Sequence, residues 1–233
     1  MSRTYSSIWP KVVLHILWDG GFGGAQKFIR DIAVYSDKNK FQHVIVFLAV
    51  GGPLSKEISS RGVIVYVLGM RSGFSLIKGL RLFKIINKFK PDIIHNHFRN
   101  YIANLIILFF RGIPKVYIEH GGEWLEGESF KQIIFYNCFV RFYDLVLVNS
   151  NYVKGEIVRL TGVKPKRFET LYIGINAVEY SDASIDRNLL KKEFDIAVED
   201  RVIGIVGRLI KRKGIDDFIK VASYINRIEK RCS

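Results

Sequence analysis

Short β-branched runs such as VVLHIL, HVIVFL and DLVLVN stay apolar almost from end to end, as strands do when both faces of a sheet are covered. Between them lie longer stretches whose apolar positions recur at helical spacing. This alternation predicts strands near 11–17, 43–48, 62–67, 92–96, 114–119, 144–149 and 168–173. Helices fill the gaps, near 24–37, 53–60, 75–89, 100–110, 128–142 and 151–160. Strand and helix in regular turn imply an α/β fold, a parallel sheet with helices on both faces.

After Ile173 the pattern loosens into GINAVEYSDASIDRN, which is polar and without period and reads as a linker. The linker separates a complete α/β domain, residues 1–175, from a second region, residues 176–233. There the alternation restarts with a helix near 187–194, a strand RVIGIVGR and a helix from Lys213 to about Ile228. One β-α unit does not make a stable sheet by itself. The region after about residue 185 is therefore expected to be mobile or self-associating.

Composition changes this picture little, but charge adds to it. At 233 residues the chain is long for one domain and short for two. Its apolar share of 48% and charged share of 25% suit a folded core. A formal charge of +14 implies attraction to something anionic: a phosphorylated ligand, nucleic acid or an acidic lipid surface. Aromatic residues are not interleaved with Arg and Lys in a groove pattern, which argues against nucleic acid. The two cysteines, Cys138 and Cys232, stand far apart with no His or Cys beside them, so a reducing cytoplasm is expected. Neither the opening residues nor the apolar run 102–110 approaches the ~20 residues of a spanning helix. Membrane association is therefore expected to be peripheral, at the inner face of the cell membrane.

Candidate chemistry gathers where strands end. Strand one runs into WDGGFGGAQKFIRDIA, in which Gly20, Gly21, Gly23 and Gly24 make a turn leading directly into a helix. Such a turn aims backbone N–H groups and a helix N-terminus at an anion, although a glycine cluster can also be a plain flexible turn. A dinucleotide fingerprint would require an acidic residue at the end of strand two. HVIVFLAVGGP has none, which argues against the nicotinamide and flavin reading.

Strand four gives PDIIHNHF and strand five VYIEHGGEW, which place His95, His97 and His120 near strand ends. His95 and His97 share one strand face. With Glu119 and Glu123 nearby a metal site is conceivable, but it needs a further ligand that the sequence does not place, and no metal is expected. His120 precedes two glycines that let the backbone approach a ligand, and it reads as a binding-site residue. Near the end, GIVGRLIKRKG sets Arg208 and Lys213 on either side of a turn into a helix, a diphosphate cradle or a solvated basic loop. Along the helix at 75–89, Lys78, Arg81, Lys84 and Lys88 form a basic face opposite Leu76, Leu80, Phe83 and Ile86, suited to an anionic membrane.

In order along the chain, GGFGGAQKFIRDIA, PDIIHNHF, IEHGG, DLVLVNSNYVKGEI, ETLYIGIN and VGRLIKRKG resemble family 4 of the retaining glycosyltransferases over about residues 11–228. The resemblance implies the GT-B architecture of two facing Rossmann-like domains, the first on the acceptor side and the second, here truncated, on the nucleotide-sugar side. It implies hexosyl transfer from a nucleotide-sugar to a glycan or lipid-linked acceptor, as in cell-surface polysaccharide or lipopolysaccharide synthesis, with no cofactor. By the same resemblance His120 is the catalytic residue facing the transferred sugar. Arg208 and Lys213, with Gly23 and Gly24, bind the donor diphosphate, and Gly21 and His97 belong to the acceptor side or its loop.

Two departures qualify the match. The junction motif ends in Asn176 where the family has an acidic residue, and the family's paired glutamates have no counterpart before the chain ends. These departures lead to the expectation of a second chain supplying the missing half, or of a non-catalytic acceptor- or membrane-binding module.

Overall fold

The computed structural model describes residues 10–71, 75–121, 129–178, 186–207 and 209–228. The chain divides into two compact units, Met1–Ile175 and Asn176–Ser233. In the first, seven parallel strands form one sheet: β1 (Lys11–Leu17), β2 (Phe41–Phe47), β3 (Ile64–Val67), β4 (Ile93–Asn96), β5 (Lys115–Glu119), β6 (Leu145–Val148) and β7 (Phe168–Thr170). Their spatial order is β3-β2-β1-β4-β5-β6-β7, so the sheet grows one way from β1 to β3 and the other way from β4 to β7. The helices between them are α1 (Gly24–Tyr35), α2 (Gly52–Ser60), α3 (Leu76–Phe89), α4 (Tyr101–Phe109), α5 (Ser129–Phe139) and α6 (Asn151–Thr161).

Strand periodicity sorts the core into two faces. Leu17, Ile45, Phe47 and Ile118 pack under Phe28, Ile29 and Ala33 of α1 and Leu54 and Ile58 of α2. On the other face Leu14, Ile16, Val44, Val46 and Ile94 meet Leu82, Ile85 and Ile86 of α3 and Ala103 and Ile107 of α4. A further cluster joins Tyr117, Val146 and Val148 to Phe135 and Tyr136 of α5 and Val153 and Ile157 of α6. Burial on both sides accounts for the continuous apolar strand runs.

α3 corrects the sequence reading. Its buried residues are Gly79, Leu82, Ile85 and Ile86, whereas Leu76, Ile77 and Leu80 are 70%, 76% and 62% exposed. Gly79 sets this rotation, because a Cβ there would come within 2.8 Å of Ile102 and Ile106 side chains on α4. The helix therefore turns its small residue inward and leaves apolar side chains outside among the basic ones.

The second unit contains α7 (Arg187–Glu193), capped by the Asp186 side chain, and α8 (Ile215–Ile228), preceded by a turn at Lys211–Lys213. Residues 201–206 form no strand, contrary to the sequence reading. Among the described residues they have no neighbouring strand to pair with, and Val202, Ile203 and Val206 are exposed. An apolar β-prone run becomes a strand only where a partner satisfies its backbone.

Gly20 separates what the fold requires from what it merely allows. Its N–H donates to the Val50 carbonyl at 3.0 Å and its carbonyl accepts from the Leu54 N–H at 3.0 Å, tying the β1–α1 turn to the β2–α2 turn. A Cβ on Gly20 would lie 1.7 Å from the Gly51 carbonyl oxygen, whereas one on Gly24 would meet nothing within 4 Å. Gly20→Ala is therefore expected to cost about 3 kcal/mol by forcing backbone apart. Gly24→Ala is expected to stay within about 0.5 kcal/mol of the unsubstituted chain. Urea unfolding of the two variants checks the contrast.

Candidate functional site

The reversal of strand order falls between β1 and β4, and in open α/β sheets the crevice at the carboxyl ends of such a pair is where ligands bind. Here the glycine turn rises from the end of β1 while His97 and His120 follow β4 and β5 directly. The Asp19 side chain shapes the turn by accepting from the Gly21 N–H at 2.9 Å and from Gln26 Nε2 at 3.1 Å. Gly23 stands at the N-cap of α1 without a side-chain cap hydrogen bond, and no acidic residue occupies the first turn. The positive end of the α1 dipole thus has no side-chain cap at this edge of the sheet.

All five histidines of the chain meet near this edge. His97 Nδ1 and His120 Nε2 lie 3.1 Å apart, His15 Nδ1 and His97 Nε2 3.4 Å, and His15 Nε2 and His43 Nδ1 2.9 Å. The row ends at Ser36 Oγ, 2.8 Å from His43 Nε2. His95 stands beside it, its ring 4.0 Å from that of His97. Strand pairing explains the gathering: His15 and His95 are register partners on β1 and β4, and His97 donates its backbone N–H to the Ile16 carbonyl. Phe28 of α1 closes the cluster edge-on to His97 and His120. Each contact joins an Nε2 to an Nδ1, so a neutral row has two consistent proton arrangements, all on Nε2 or all on Nδ1.

Burial holds these rings neutral. It lowers His15 and His97 well below the usual histidine value and takes His95 down to about 3, with the neighbouring imidazoles adding to the effect. His120 is lowered by burial against a smaller opposing pull from Glu119. Glu119 is itself held by the hydroxyls of Tyr117 at 3.0 Å and Tyr136 at 2.9 Å and by the Gly121 N–H at 3.1 Å.

Some polar atoms of this edge have no partner among the described residues. His95 Nε2, His120 Nδ1, Asn100 Nδ2 and Asn149 Oδ1 are all buried without a hydrogen bond. Asn149 spends its amide on the His120 carbonyl at 3.0 Å, which fixes the backbone beside that ring. Unmet polar groups are costly in an interior and concentrate where a ligand completes them. A depression of about 670 Å³ lies in the second unit, beside Leu189, Ile196 and Val198.

The sequence-read residues divide accordingly. Gly21, Gly23, Gly24, His97 and His120 come to one edge. Gly121 is explained by the fold, since its φ of 73° and a Cβ that would sit 2.6 Å from Val153 both demand glycine there. Arg208, Glu123 and Cys232 lie outside the described residues. Lys213 is exposed, with its stem against Gly207 and Asp216 and Asp217 in the first turn of the helix that follows. On α3, Arg81 and Lys84 project outward, while Lys88 bonds to the Tyr66 hydroxyl at 3.1 Å and Lys78 lies half-buried near Gly69. Sequence reasoning missed His15, His43 and Asn149. The first two interrupt otherwise apolar strand runs, and that interruption was the available signal.

Buried neutral histidines make a specific demand on pH. Above about 6.5 folded and unfolded chains both carry them neutral; below it the unfolded chain binds protons that the folded one refuses. The contribution from His15, His95 and His97 is therefore lost as pH falls from about 6.5 toward 3, where His95 begins to protonate in place. Each ring kept neutral costs about 1.4 kcal/mol per pH unit across that window. Urea midpoints for metal-free protein between about pH 7 and pH 5 should fall steeply, and His95→Asn should flatten the slope.

Comparison with known proteins now bears on this edge. Residues 22–179 match the family described as Glycosyltransferase Family 4. A processive diacylglycerol alpha-glucosyltransferase from Acholeplasma laidlawii is 29% identical over 140 residues, 56% of this chain and 41% of that relative. Among solved structures, Anabaena HepE in complex with UDP-glucose superposes with a TM-score of 0.74 at 20% identity, over 91% of this chain and 57% of that one. A glycosyltransferase from Rickettsia africae does so with a TM-score of 0.74 at 17% identity, over 95% and 58%. The chain thus spans between two fifths and three fifths of the length of these proteins. The matched family segment begins in the glycine turn and runs past β7, taking in the whole histidine-lined edge after β1, and by that match the chain belongs to glycosyltransferase family 4.

Proposed function

We propose that this chain works in hexosyl transfer from a nucleotide-sugar to a hydroxyl on a glycan or a lipid-linked acceptor, with retention at the transferred carbon. The observation that carries the reading is the convergence of the open glycine turn, His97, His120 and unmet buried polar atoms at the β1–β4 edge. HepE, of the same fold, holds UDP-glucose, which favours a uridine diphosphate hexose as donor. The Acholeplasma relative acts on diacylglycerol, which favours an acceptor with a lipid tail. His120 presents its unpartnered Nδ1 to a hydroxyl of the transferred sugar. Gly23 and Gly24 leave room for the diphosphate or the acceptor at the α1 N-terminus. Arg208 and Lys213 neutralise the charge that develops on the leaving diphosphate.

Isothermal titration with uridine and guanosine diphosphates and their hexose derivatives tests this. A uridine diphosphate hexose should bind, and Arg208→Ala should abolish binding. His120→Ala should bring the affinities for the diphosphate and its hexose derivative together, since the ring is assigned to the sugar. Gly24→Ala, neutral in stability, should weaken binding about tenfold by filling the space before the helix. Absence of any nucleotide binding by a folded chain would overturn the donor assignment and leave a non-catalytic acceptor- or membrane-binding module.

The exposed side of α3 favours a membrane role within either reading. No described helix is long and apolar enough to cross a membrane. Leu76, Ile77 and Leu80 nevertheless stand exposed beside Arg81 and Lys84, with Leu105 and Phe109 of α4 also exposed. This is the composition of a helix that lies in the headgroup layer. It favours a place at the cytoplasmic face of the cell membrane, where anionic lipid and a lipid-linked acceptor meet. Binding to phosphatidylglycerol vesicles should be salt-sensitive and drop about tenfold or more when Lys78, Arg81, Lys84 and Lys88 are neutralised together. Leu80→Ser should weaken the salt-resistant part. Vesicle binding unchanged in both variants would remove the assignment.

A further inference from the structure

We propose that His15, His95 and His97 form a buried binding site for one borderline divalent transition metal ion, zinc being the representative, beneath the sugar-facing histidine. The sequence offered two of these ligands and lacked a third. The fold supplies it from the middle of β1, where His15 is the register partner of His95. One ring nitrogen from each of the three lies within 4.8 Å of the others, and all three residues are buried.

The spacing within the group fits a shared ion better than a shared proton. His15 Nδ1 and His97 Nε2 face each other at 3.4 Å, the longest contact in the histidine row. Two imidazoles on a tetrahedral zinc at about 2.0–2.1 Å hold their nitrogens about 3.4 Å apart. The opposite nitrogens of both rings are already anchored: His15 Nε2 by His43 at 2.9 Å and His97 Nδ1 by His120 at 3.1 Å. Such outer partners are what orient metal-bound imidazoles. His95 adds the second observation, an Nε2 that is buried and has no partner among the described residues.

The donor set also states which ions are accepted. Three neutral imidazoles with no carboxylate suit zinc, copper or nickel and not magnesium or calcium, which require oxygen. Glu119, which ends β5 beside His120, is committed to two tyrosine hydroxyls, a backbone N–H and Arg99. Burial keeps the imidazoles in the unprotonated form that ligates.

A bound ion has a consequence for His120, and this part rests on the sugar-facing reading of that residue. Metal on His97 Nε2 leaves the His97 proton on Nδ1, which then donates to His120 Nε2. The His120 proton is thereby placed on Nδ1, the atom assigned to the sugar, as a donor. The ion takes the place of the His15–His97 hydrogen bond and splits the row, with His97 and His120 protonated on Nδ1 and His15 and His43 on Nε2. It acts as a positioning element for His120 and touches no substrate.

The test uses the whole chain carrying Cys138→Ser and Cys232→Ser, stripped with a chelator and then given zinc or magnesium chloride. Zinc should bind at about one equivalent and raise the unfolding temperature, and magnesium should do neither. His15→Asn and His95→Asn should each weaken zinc about 100-fold, and His43→Asn, an outer partner, about tenfold. If a variant does not fold, zinc-edge X-ray absorption of the parent chain decides, with three imidazole nitrogens expected in the first shell. Nitrogen-15 spectra of labelled histidine should show His120 protonated on Nδ1 in the zinc form. Zinc binding that survives both variants, a first shell without imidazole, or no stoichiometric zinc would overturn the site. A zinc site without the Nδ1 signature would retain the site and overturn the positioning role.

Discussion

The sheet grows in two directions from the pair β1 and β4, and most of what distinguishes this chain follows from that one constraint. Two parallel strands whose connections leave in opposite directions cannot both be roofed at their carboxyl ends. The gap is lined by whatever the two strands carry there: a glycine turn after β1, and His97 after β4, with His120 following on β5. The same pairing brings His15 and His95 side by side deeper in the sheet. A surface opening and an interior row of imidazoles are therefore produced by one strand registration, and they share His97.

An interior row of four histidines with a fifth beside it would be expensive if any were charged. Mutual repulsion and burial keep them neutral, and the hydrogen bonds from Ser36 to His120 remain satisfied only because every link joins unlike nitrogens. The chain's large positive charge is carried elsewhere. Arg81 and Lys84 stand outward on α3, and the described part of the second unit ends its turn at Lys213. Interior polarity without charge and exterior charge without burial are separate devices: one orients hydrogen bonds, the other attracts anions over distance.

The strand and helix order was legible in the sequence because doubly covered strands leave continuous apolar runs and helices leave their own period. Boundaries shifted by a residue or three, as at β2, where Phe41 and Gln42 join the strand. The face of α3 was misread for a physical reason. The sequence pointed to Leu76, Leu80, Phe83 and Ile86; Ile86 is buried, but close approach of α4 selects the face bearing Gly79 and leaves Leu76 and Leu80 outside. Residues 201–206 have the composition of a strand, and pairing, which composition does not encode, decides whether they become one. At the site, residues placed by loop motifs were legible, whereas His15 and His43 were hidden in runs read as core. Their importance appears only when register sets them against His95 and His97.

The glycines of the first turn show how far fold and function can be told apart by geometry. Gly20 has no room for a methyl group, Gly52 adopts a φ of 63° with its missing Cβ against Gly20, and Gly121 is pinned by Val153. Packing alone demands glycine at those three positions. At Gly24 there is open space, and at Gly23 only the flexible tip of Gln26 stands in the way. Nothing within the described fold asks for glycine at either position, and both stand at the N-terminus of α1, which has no side-chain cap. At these two positions the fold leaves a side chain room, as it also does at Gly155, Gly174 and Gly204. What sets Gly23 and Gly24 apart is their place at the N-terminus of α1, beside the β1–β4 switch in strand order, and that place is why we propose a ligand there.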